Sequence, residues 1–430
     1  MVLAAILSSL IFLISLGLIF SEKINRTIVG IAGAALMVGA GIMLGFYSES
    51  QALEAVDFNT LGLLLGMMIL VSLLEPTGFF QYMAVWAGKL SKGHPVRLLV
   101  MLGSVTTLLS MVLDNVTTIV LIAPVTILIC EILGITATPY LIAEALLSNT
   151  GGVATLVGDP PNIIIGSAAG LSFNDFLVYS LPIVLVVWVI TLLLLRFLMR
   201  YELSIPPKNM DAVMKLSPSE ALDDKKTAKK ILIVLCAAIF LFFVAHFLHI
   251  SPAYVALSSA GFALVWVRPD VKETLERIEW SVLIFFAALF VMVGGMESAG
   301  VLDSLVHALA GASSIPPALF GVFIIWGVAG LSAIVDNIPI TIAMIPVIHG
   351  LGAAGMEIGP LWWALAFGAG FGGNGTIIGS TANIVVATLS EKTRSPITTR
   401  MWTRRGLPVM LTTCTVATLL YILAFPLFPR

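Results

Sequence analysis

The chain contains 430 residues, of which 59% are hydrophobic and only 11% are charged. Because a water-soluble domain carries roughly 25% charged residues, this composition excludes a soluble protein and predicts an integral membrane protein. Three cysteines without C-x-x-C spacing argue against a disulfide framework or a metal site, and we expect no cofactor and no nucleic-acid partner.

The first half of the chain predicts five membrane spans, since a helix needs about 20 apolar residues to cross roughly 30 Å of hydrocarbon. In chain order these spans are about 3–20, 26–46, 58–75, 139–170 and 178–200. The first span has no preceding Lys or Arg and no small-x-small cleavage site, so we expect it to be retained rather than removed as a signal peptide.

Two polar interruptions divide the apolar sequence of this half. The segment 97–135 is apolar on both sides of Asp114-Asn115, which predicts a re-entrant helical hairpin with a polar tip. The segment 139–170 contains the pattern G-x-x-T-x-x-G-x-x-x-N, made by Gly152, Thr155, Gly158 and Asn162. Polar and Gly-rich breaks in membrane helices indicate the binding site of a transporter.

A polar segment, 201–230, then joins the two halves. It contains two adjacent prolines and several lysines, and about 30 residues are too few to form a hydrophobic core of their own. We therefore predict a cytoplasmic linker between a first repeat, 1–200, and a second repeat, 231–430.

The second half repeats the first with the same spacing. Its five predicted spans are about 230–247, 252–268, 280–297, 361–390 and 405–427. A second predicted hairpin, 314–350, carries Asp336-Asn337 at its tip. Gly373, Thr376, Gly379 and Asn383 repeat the pattern of the first break.

Charge placement tests this topology. With five crossings in each half, 21 of the 22 Lys and Arg residues fall in the loops on one side of the membrane. The positive-inside rule therefore predicts that these loops are cytoplasmic and that both termini lie outside the inner membrane. An odd number of crossings gives the second half the opposite orientation. The predicted fold is thus an all-α polytopic membrane protein, with about ten spans and two re-entrant hairpins in an inverted five-plus-five repeat.

Carboxylates within the predicted membrane region are candidates for proton or ion coupling, because each costs roughly 3 kcal/mol to insert. They are Asp114, Asp159, Asp336 and, as a lesser candidate, Glu144. Asp159 has no acidic counterpart, since Ser380 occupies its position in the second copy. An alternative interpretation is that each hairpin-tip aspartate only caps the helix that follows it.

Neutral polar groups and exposed main chain at the tips and breaks are the predicted substrate contacts. They are Asn115, Thr117, Gly152, Thr155, Gly158, Asn162, Asn337, Gly373, Asn374, Thr376, Gly379 and Asn383. Close helix packing is the alternative role for the glycines. No Lys or Arg lies in a predicted span near these motifs, so the acidic site is expected to disfavour anionic substrates.

The sequences Leu113-Asp114-Asn115-Val116-Thr117-Thr118 and Gly151–Asn162, with their second-half partners, resemble the ion transporter superfamily. That superfamily groups arsenite/antimonite permeases of the ArsB type, Na+/H+ antiporters of the NhaD type, the melanosomal P protein, and dicarboxylate and citrate carriers. The resemblance implies a scaffold part and a transport part in each half, elevator-like motion and a homodimer. The dicarboxylate members carry Ser-Asn-Thr at both tips, and this chain departs from that pattern.

The compact layout resembles the arsenical-pump branch and ranks arsenite/antimonite export in exchange for protons first. Na+/H+ antiport ranks second, and a carboxylate carrier or an ion channel ranks lower. An intramembrane enzyme with paired aspartates is a further alternative class, which the duplicated breaks disfavour. The expected partners are the lipid bilayer, arsenite, antimonite or Na+, protons and a second copy of the chain. Docking of an ATPase subunit on the basic linker is left open by the sequence.

Overall fold

The computed structural model describes residues 2–21, 23–248, 250–301, 315–393 and 395–429, and these residues form helices but no strand. The predicted all-α architecture is therefore confirmed. The helices of ten or more residues in these ranges are α1 (Val2–Phe20), α2 (Arg26–Leu44), α3 (Phe58–Leu74), α4 (Phe79–Leu90), α5 (Pro95–Ser110), α6 (Asn115–Leu133), α7 (Thr138–Gly152), α8 (Pro160–Ala169), α9 (Leu181–Leu198), α10 (Lys225–Leu248), α11 (Pro252–Val267), α12 (Trp280–Ser298), α13 (Pro317–Ser332), α14 (Asn337–Ala353), α15 (Gly359–Gly372), α16 (Thr381–Ser390) and α17 (Thr399–Ala424). Shorter helices lie in the connections: Glu49–Ala55, Met210–Met214 and Val271–Glu276.

Seven helical stretches in the described ranges are long and apolar enough to cross a bilayer. They are Arg26–Leu44, Phe58–Thr77, Asn115–Leu133, Phe173–Leu198, Lys225–Ala245, Trp280–Ser298 and Thr399–Leu427. Six of the seven coincide with predicted spans, whereas Asn115–Leu133 belongs to the first predicted hairpin. The predicted spans at α1 and α11 are shorter apolar helices. The re-entrant path of the hairpins remains a prediction.

Both predicted breaks are present as interruptions between two helices. In the first half, α7 ends at Gly152 and α8 begins at Pro160. Proline suits the first position of a helix because its missing N–H would have no partner there. In the second half, α15 ends at Gly372 and α16 begins at Thr381. At each predicted hairpin tip, four residues separate the two helices, which are α5 and α6 in one half and α13 and α14 in the other.

Helix packing repeats between the halves. α5 packs on α7, as α13 packs on α15; α2 packs on α12, as α11 packs on α3. Across the centre, α6 packs on α16 and α14 packs on α8, while α9 and α17 pack on each other. If each helix is replaced by the helix at the same place in the other half, every pair named here gives another pair that is also in contact. The pair of α9 and α17 gives itself. The packing pattern of the helices is therefore symmetric between the two halves.

The segment between the halves lies against the helix ends instead of extending into solvent. The Lys208 amide donates to the Leu133 carbonyl at 2.9 Å, and the Asp224 amide donates to the Thr77 carbonyl at 3.3 Å. Val213 is fully buried. The helix α10 already begins at Lys225, so the last residues of the predicted linker are helical.

Candidate functional site

A cavity of about 230 Å³ lies between the two predicted hairpin tips and the start of α8. Its polar lining comes from both halves of the chain. The polar and charged residues are Arg26, Ser72, Glu75, Asp114, Asn115, Thr117, Asp159, Arg277, Glu279, Asp336, Asn337, Ser380 and Thr381. Six predicted site residues are thus brought together: Asp114, Asn115, Thr117, Asp159, Asp336 and Asn337.

The other predicted site residues lie outside this lining. They are Gly152, Thr155, Gly158, Asn162, Gly373, Asn374, Thr376, Gly379, Asn383 and Glu144. Most of them surround the two breaks, directly behind the cavity wall.

The first tip aspartate caps its own helix. The Asp114 carboxylate accepts a hydrogen bond from the Thr117 amide at 2.9 Å, which satisfies one of the unpaired N–H groups at the start of α6. The capping interpretation therefore holds for Asp114, which lines the cavity at the same time.

The second tip aspartate is bound differently. The Asp336 side chain makes no capping bond to α14. One of its oxygens instead accepts from Arg26 Nη1 at 2.7 Å and from Thr381 Oγ1 at 2.8 Å. The expectation that no Lys or Arg lies near the motifs is therefore wrong. Arg26 is 310 positions away in the sequence, and only folding brings it to this tip.

A second arginine also reaches the cavity. Arg277 lies 3.6 Å from Glu75 and 2.8 Å from Glu273. Burial raises the pKa of Glu279, the Asp114 carboxylate adds to this effect, and Arg26 opposes it. Among the lining residues in the described part of the chain, five are acidic and two are arginines, and both arginines already contact a carboxylate. The cavity is therefore acidic overall.

Asp159 is the most deeply buried of these carboxylates, with 2% of its surface exposed. It precedes α8 but makes no capping bond to that helix. Its Oδ2 atom accepts from Asn337 Nδ2 at 2.9 Å, so a carboxylate of the first half meets the tip of the second. The corresponding Ser380 donates instead to Asn149 Oδ1 at 3.0 Å.

Asn149 connects both halves, and the sequence prediction missed it. Its oxygen accepts from Asn115 and Ser380, each at 3.0 Å. Its nitrogen donates to the side-chain oxygens of Asn374 and Asn383, each at 3.0 Å. All four hydrogen-bonding positions of its amide are filled. In the sequence, Asn149 is a polar residue within an apolar helix, three residues before the break. It does not belong to a matched pair, because Gly370 occupies the equivalent position of the second copy.

The duplicated asparagines bond to the main chain of their own break. Asn162 Nδ2 donates to the carbonyls of Gly152 at 3.0 Å and Thr155 at 2.8 Å. Asn383 Nδ2 donates to the matching carbonyls, those of Gly373 at 2.8 Å and Thr376 at 2.9 Å. The last carbonyls of an interrupted helix have no intrahelical partner, and these side chains supply one.

The duplicated hydroxyls join each break to its hairpin tip. Thr155 donates to the Met111 carbonyl, and Thr376 donates to the matching Ala333 carbonyl. Two serines add equivalent bonds at 2.8 Å, Ser110 to the Ser148 carbonyl and Ser332 to the Ala369 carbonyl.

The repeated glycines allow main chain to approach main chain. A Cβ atom on Gly158 would lie 2.6 Å from the Gly152 carbonyl oxygen, and one on Gly379 would lie 2.7 Å from that of Gly373. These distances are too short for a side chain, so close packing requires glycine at both positions. The packing alternative explains these glycines.

Glu144 lies away from the cavity, between α7 and α6, with 1% of its surface exposed. Thr126 donates to its Oε1 atom at 2.5 Å, and its Oε2 atom has no hydrogen-bond partner within the described ranges. In the second copy, Leu365 and Ile348 replace this polar pair.

A second cavity, of about 540 Å³, lies at the opposite ends of α8, α12 and α14. Its polar lining includes Asp57, Ser167, Glu297 and His349. Because the first cavity lies at the beginnings of the same three helices, the two cavities approach a common layer of helices from opposite directions.

Comparisons with known proteins place this architecture among transporters. A family model described as citrate transporter (CitMHS) matches residues 16–368. The chain is 42% identical to the uncharacterized transporter Rv2685 of Mycobacterium tuberculosis, over 94% of each chain. It is 32% identical to the human P protein, over 93% of this chain and 57% of that protein. A crystal structure of the Alcanivorax borkumensis YdaH transporter matches with a TM-score of 0.56 and 14% identity, covering 94% of this chain and all of the other, which shows a shared fold.

Proposed function

The chain belongs to the citrate transporter (CitMHS) family of the ion transporter superfamily and is therefore a membrane transporter; we propose that it exports arsenite or antimonite in exchange for protons. It acts as a secondary transporter, and gradients rather than bond cleavage drive it. The observation that carries the proposal is the acidic cavity at the junction of the two halves, with Asp159 buried at its wall.

The chemistry of the cavity suits a small neutral polyol. Arsenite near neutral pH is mainly an uncharged trihydroxide, whose hydroxyls both donate and accept hydrogen bonds. The lining offers carboxylates as acceptors and the amides of Asn115 and Asn337 as mixed partners. Metal-binding thiols are not required for this mode of recognition.

Coupling to protons follows from competition at one carboxylate. An ionised Asp159 accepts hydrogen bonds from a bound hydroxyl as well as from Asn337. A protonated Asp159 is neutral and offers a weaker acceptor, so proton and substrate occupy the site alternately. Alternating occupancy produces exchange: a proton enters as the substrate leaves. Asp114 and Asp336 are further coupling carboxylates of the same cavity, and Glu144 is the more remote coupling candidate.

Alternating access is part of the same proposal. The predicted cytoplasmic residues Arg26, Glu75, Arg277 and Glu279 line the first cavity, so it opens toward the cytoplasm. The second cavity lies at the other ends of the same helices. Movement of the tips and breaks past α3 and α12 would transfer the site from one side to the other. The exchange of packing partners between the halves supports inverted repeats at 1–200 and 231–430, joined by the linker 201–230.

Na+/H+ antiport is the second candidate. It is favoured by the three lining carboxylates Asp114, Asp159 and Glu279, which form none of the ion pairs found at Arg26 and Arg277. A carboxylate carrier, as the family description names, would have to place a polyanion against this acidic surplus. The two lining arginines offer little positive charge to such an anion, because each already contacts a carboxylate.

Everted membrane vesicles test the substrate directly. Vesicles with an acidic interior receive labelled arsenite, antimonite, Na+ or citrate, and substrate uptake and interior pH are followed together. Arsenite uptake coupled to loss of the pH gradient is expected, and we predict that Asp114→Asn abolishes it without affecting membrane insertion. Dissipation of the pH gradient by Na+ alone would establish the antiport candidate instead, and uptake of citrate alone would establish the carboxylate carrier.

The oligomeric state and a cytoplasmic ATPase partner belong to the same proposal. We propose a homodimer, as the superfamily resemblance implies, and light scattering of the detergent-solubilised chain measures its mass. Vesicle uptake in the absence of ATP determines whether an ATPase subunit is needed.

A further inference from the structure

A pocket of about 590 Å³ lies between the end of α9 and the beginning of α17, away from the transport cavity. Three arginines and one glutamate supply its charge. The pocket is lined by Leu198, Tyr201, Glu202, Thr398, Arg400, Met401, Arg404 and Arg405. The transport site and the helix breaks do not account for this cluster.

The pocket keeps a positive surplus. Arg405 pairs with Glu202 and also donates to the Met401 carbonyl at 3.1 Å. Its Nε atom is buried and has no hydrogen-bond partner in the described ranges. Arg400 and Arg404 are exposed at the rim. The N-terminus of the 26-residue helix α17 adds a partial positive charge to the same pocket.

The surrounding surface places this pocket at the edge of the lipid-facing region. Large apolar side chains cover the adjoining turns of both helices, with Leu193 59%, Phe197 61% and Leu411 44% exposed. Tyr201 is 71% exposed, and the Arg200 guanidinium lies 4.8 Å from its ring centre. Aromatic and cationic side chains following an apolar surface mark the interface between hydrocarbon and water.

We propose that this pocket binds the phosphate group of an anionic phospholipid. Guanidinium groups bind phosphate oxygens in pairs, and the acyl chains would lie along the exposed apolar surface of α9. A headgroup with a net negative charge is selected because the arginines exceed the single glutamate. By the predicted orientation this lipid belongs to the cytoplasmic leaflet, where basic pockets between helices bind acidic headgroups.

The test uses the full chain purified in detergent and native mass spectrometry during titration with phosphatidylglycerol or phosphatidylcholine. The double variant Arg400→Gln/Arg404→Gln should bind phosphatidylglycerol about 25-fold more weakly, at about fivefold for each arginine. The control Lys225→Gln/Lys229→Gln removes two exposed charges at the start of α10 and should change binding less than twofold.

Three results would overturn the proposal. One is equal binding by the two double variants, and another is equal retention of phosphatidylcholine and phosphatidylglycerol by the unmodified chain. The third comes from a separate titration with inorganic phosphate. Displacement of phosphatidylglycerol by millimolar phosphate would identify a free anion as the ligand, whereas persistence of the lipid in phosphate supports the lipid source.

Discussion

The two helix breaks share their main-chain contacts and differ in their side-chain chemistry. Asn162 and Asn383 bond to equivalent pairs of carbonyls, and Thr155 and Thr376 bond to equivalent hairpin carbonyls. In contrast, a buried carboxylate in the first break, Asp159, is matched by Ser380 in the second. The duplicated residues of the breaks hold the backbone, and the unmatched Asp159 adds a carboxylate to the cavity.

The two predicted hairpin tips show the same division. Both begin a helix with Asp-Asn, yet Asp114 caps its own helix while Asp336 binds Arg26 and Thr381. Identical residues at equivalent positions therefore have different partners, because Thr381, which donates to Asp336, is matched in the first copy by Pro160, which has no donor. Similarity of sequence between the copies locates the tips but does not determine what each carboxylate does.

The largest expected effect comes from the unmatched carboxylate. Asp159→Asn should reduce proton-coupled transport in vesicles to the background of protein-free vesicles, because the amide cannot ionise. The fold should persist, since the asparagine oxygen still accepts from Asn337. Asp211→Asn, in the exposed linker, serves as the control for expression and insertion. Transport retained by Asp159→Asn would show that the asymmetry of the breaks does not provide the coupling.

A smaller effect, present in both copies, is expected from the duplicated amides. Asn162→Ala and Asn383→Ala should each lower the free energy of unfolding by about 1–3 kcal/mol, because each leaves two carbonyls without a donor. The loss should be larger for Asn383→Ala, because this change also removes an acceptor of Asn149. Unfolding of the purified chain in denaturing detergent measures this. Asn209→Ala is the control, because within the described ranges that exposed amide makes a single long hydrogen bond of 3.5 Å. A loss confined to one copy would contradict equivalent backbone roles.

A double-mutant cycle examines the ion pair at the second tip. Arg26→Gln and Asp336→Asn should show a coupling of about 1 kcal/mol in unfolding, since the side chains are 30% and 15% exposed and partly screened. Asp114→Asn should leave stability nearly unchanged, because asparagine caps a helix as well as aspartate does. A coupling energy near zero would mean that the ion pair does not stabilise the second tip. The two tips would then not differ in this respect.

The smallest effect is expected at the pair of Thr126 and Glu144, remote from the cavity, when both residues are replaced by the apolar residues of the second copy. Thr126→Ile with Glu144→Leu replaces both members of a buried polar pair, and the free energy of unfolding should change by less than about 1 kcal/mol. The single change Thr126→Ile should cost more, because Glu144 then loses its donor. Vesicle transport by the double variant shows in addition whether Glu144 takes part in coupling.

Local sequence patterns were sufficient to predict the helical class, the positions of both breaks and the six predicted residues that line the cavity. Apolar length, interrupting glycines and the repeated Asp-Asn pairs are all visible within short windows. The contact between Arg26 and Asp336 is not visible within a short window, because it joins residues 310 positions apart. The acidic character predicted for the site nevertheless agrees with the surplus of lining carboxylates.

The roles of individual polar groups were harder to predict for a related reason. Spacing identifies Asn162 and Asn383 as matched, but only the folded break shows that their amides face main-chain carbonyls. The pairing of motifs could not reveal Asn149, since three of its four partners lie in the other half and its own counterpart is a glycine.

The filled amide of Asn149 has a mechanical consequence. Its bonds to Asn115, Ser380, Asn374 and Asn383 all measure 3.0 Å, and a relative slip of about 1 Å would take them beyond bonding range. These bonds tie the first tip to both interruptions. In the alternating access that we propose, the linked parts of the two copies would therefore have to move together.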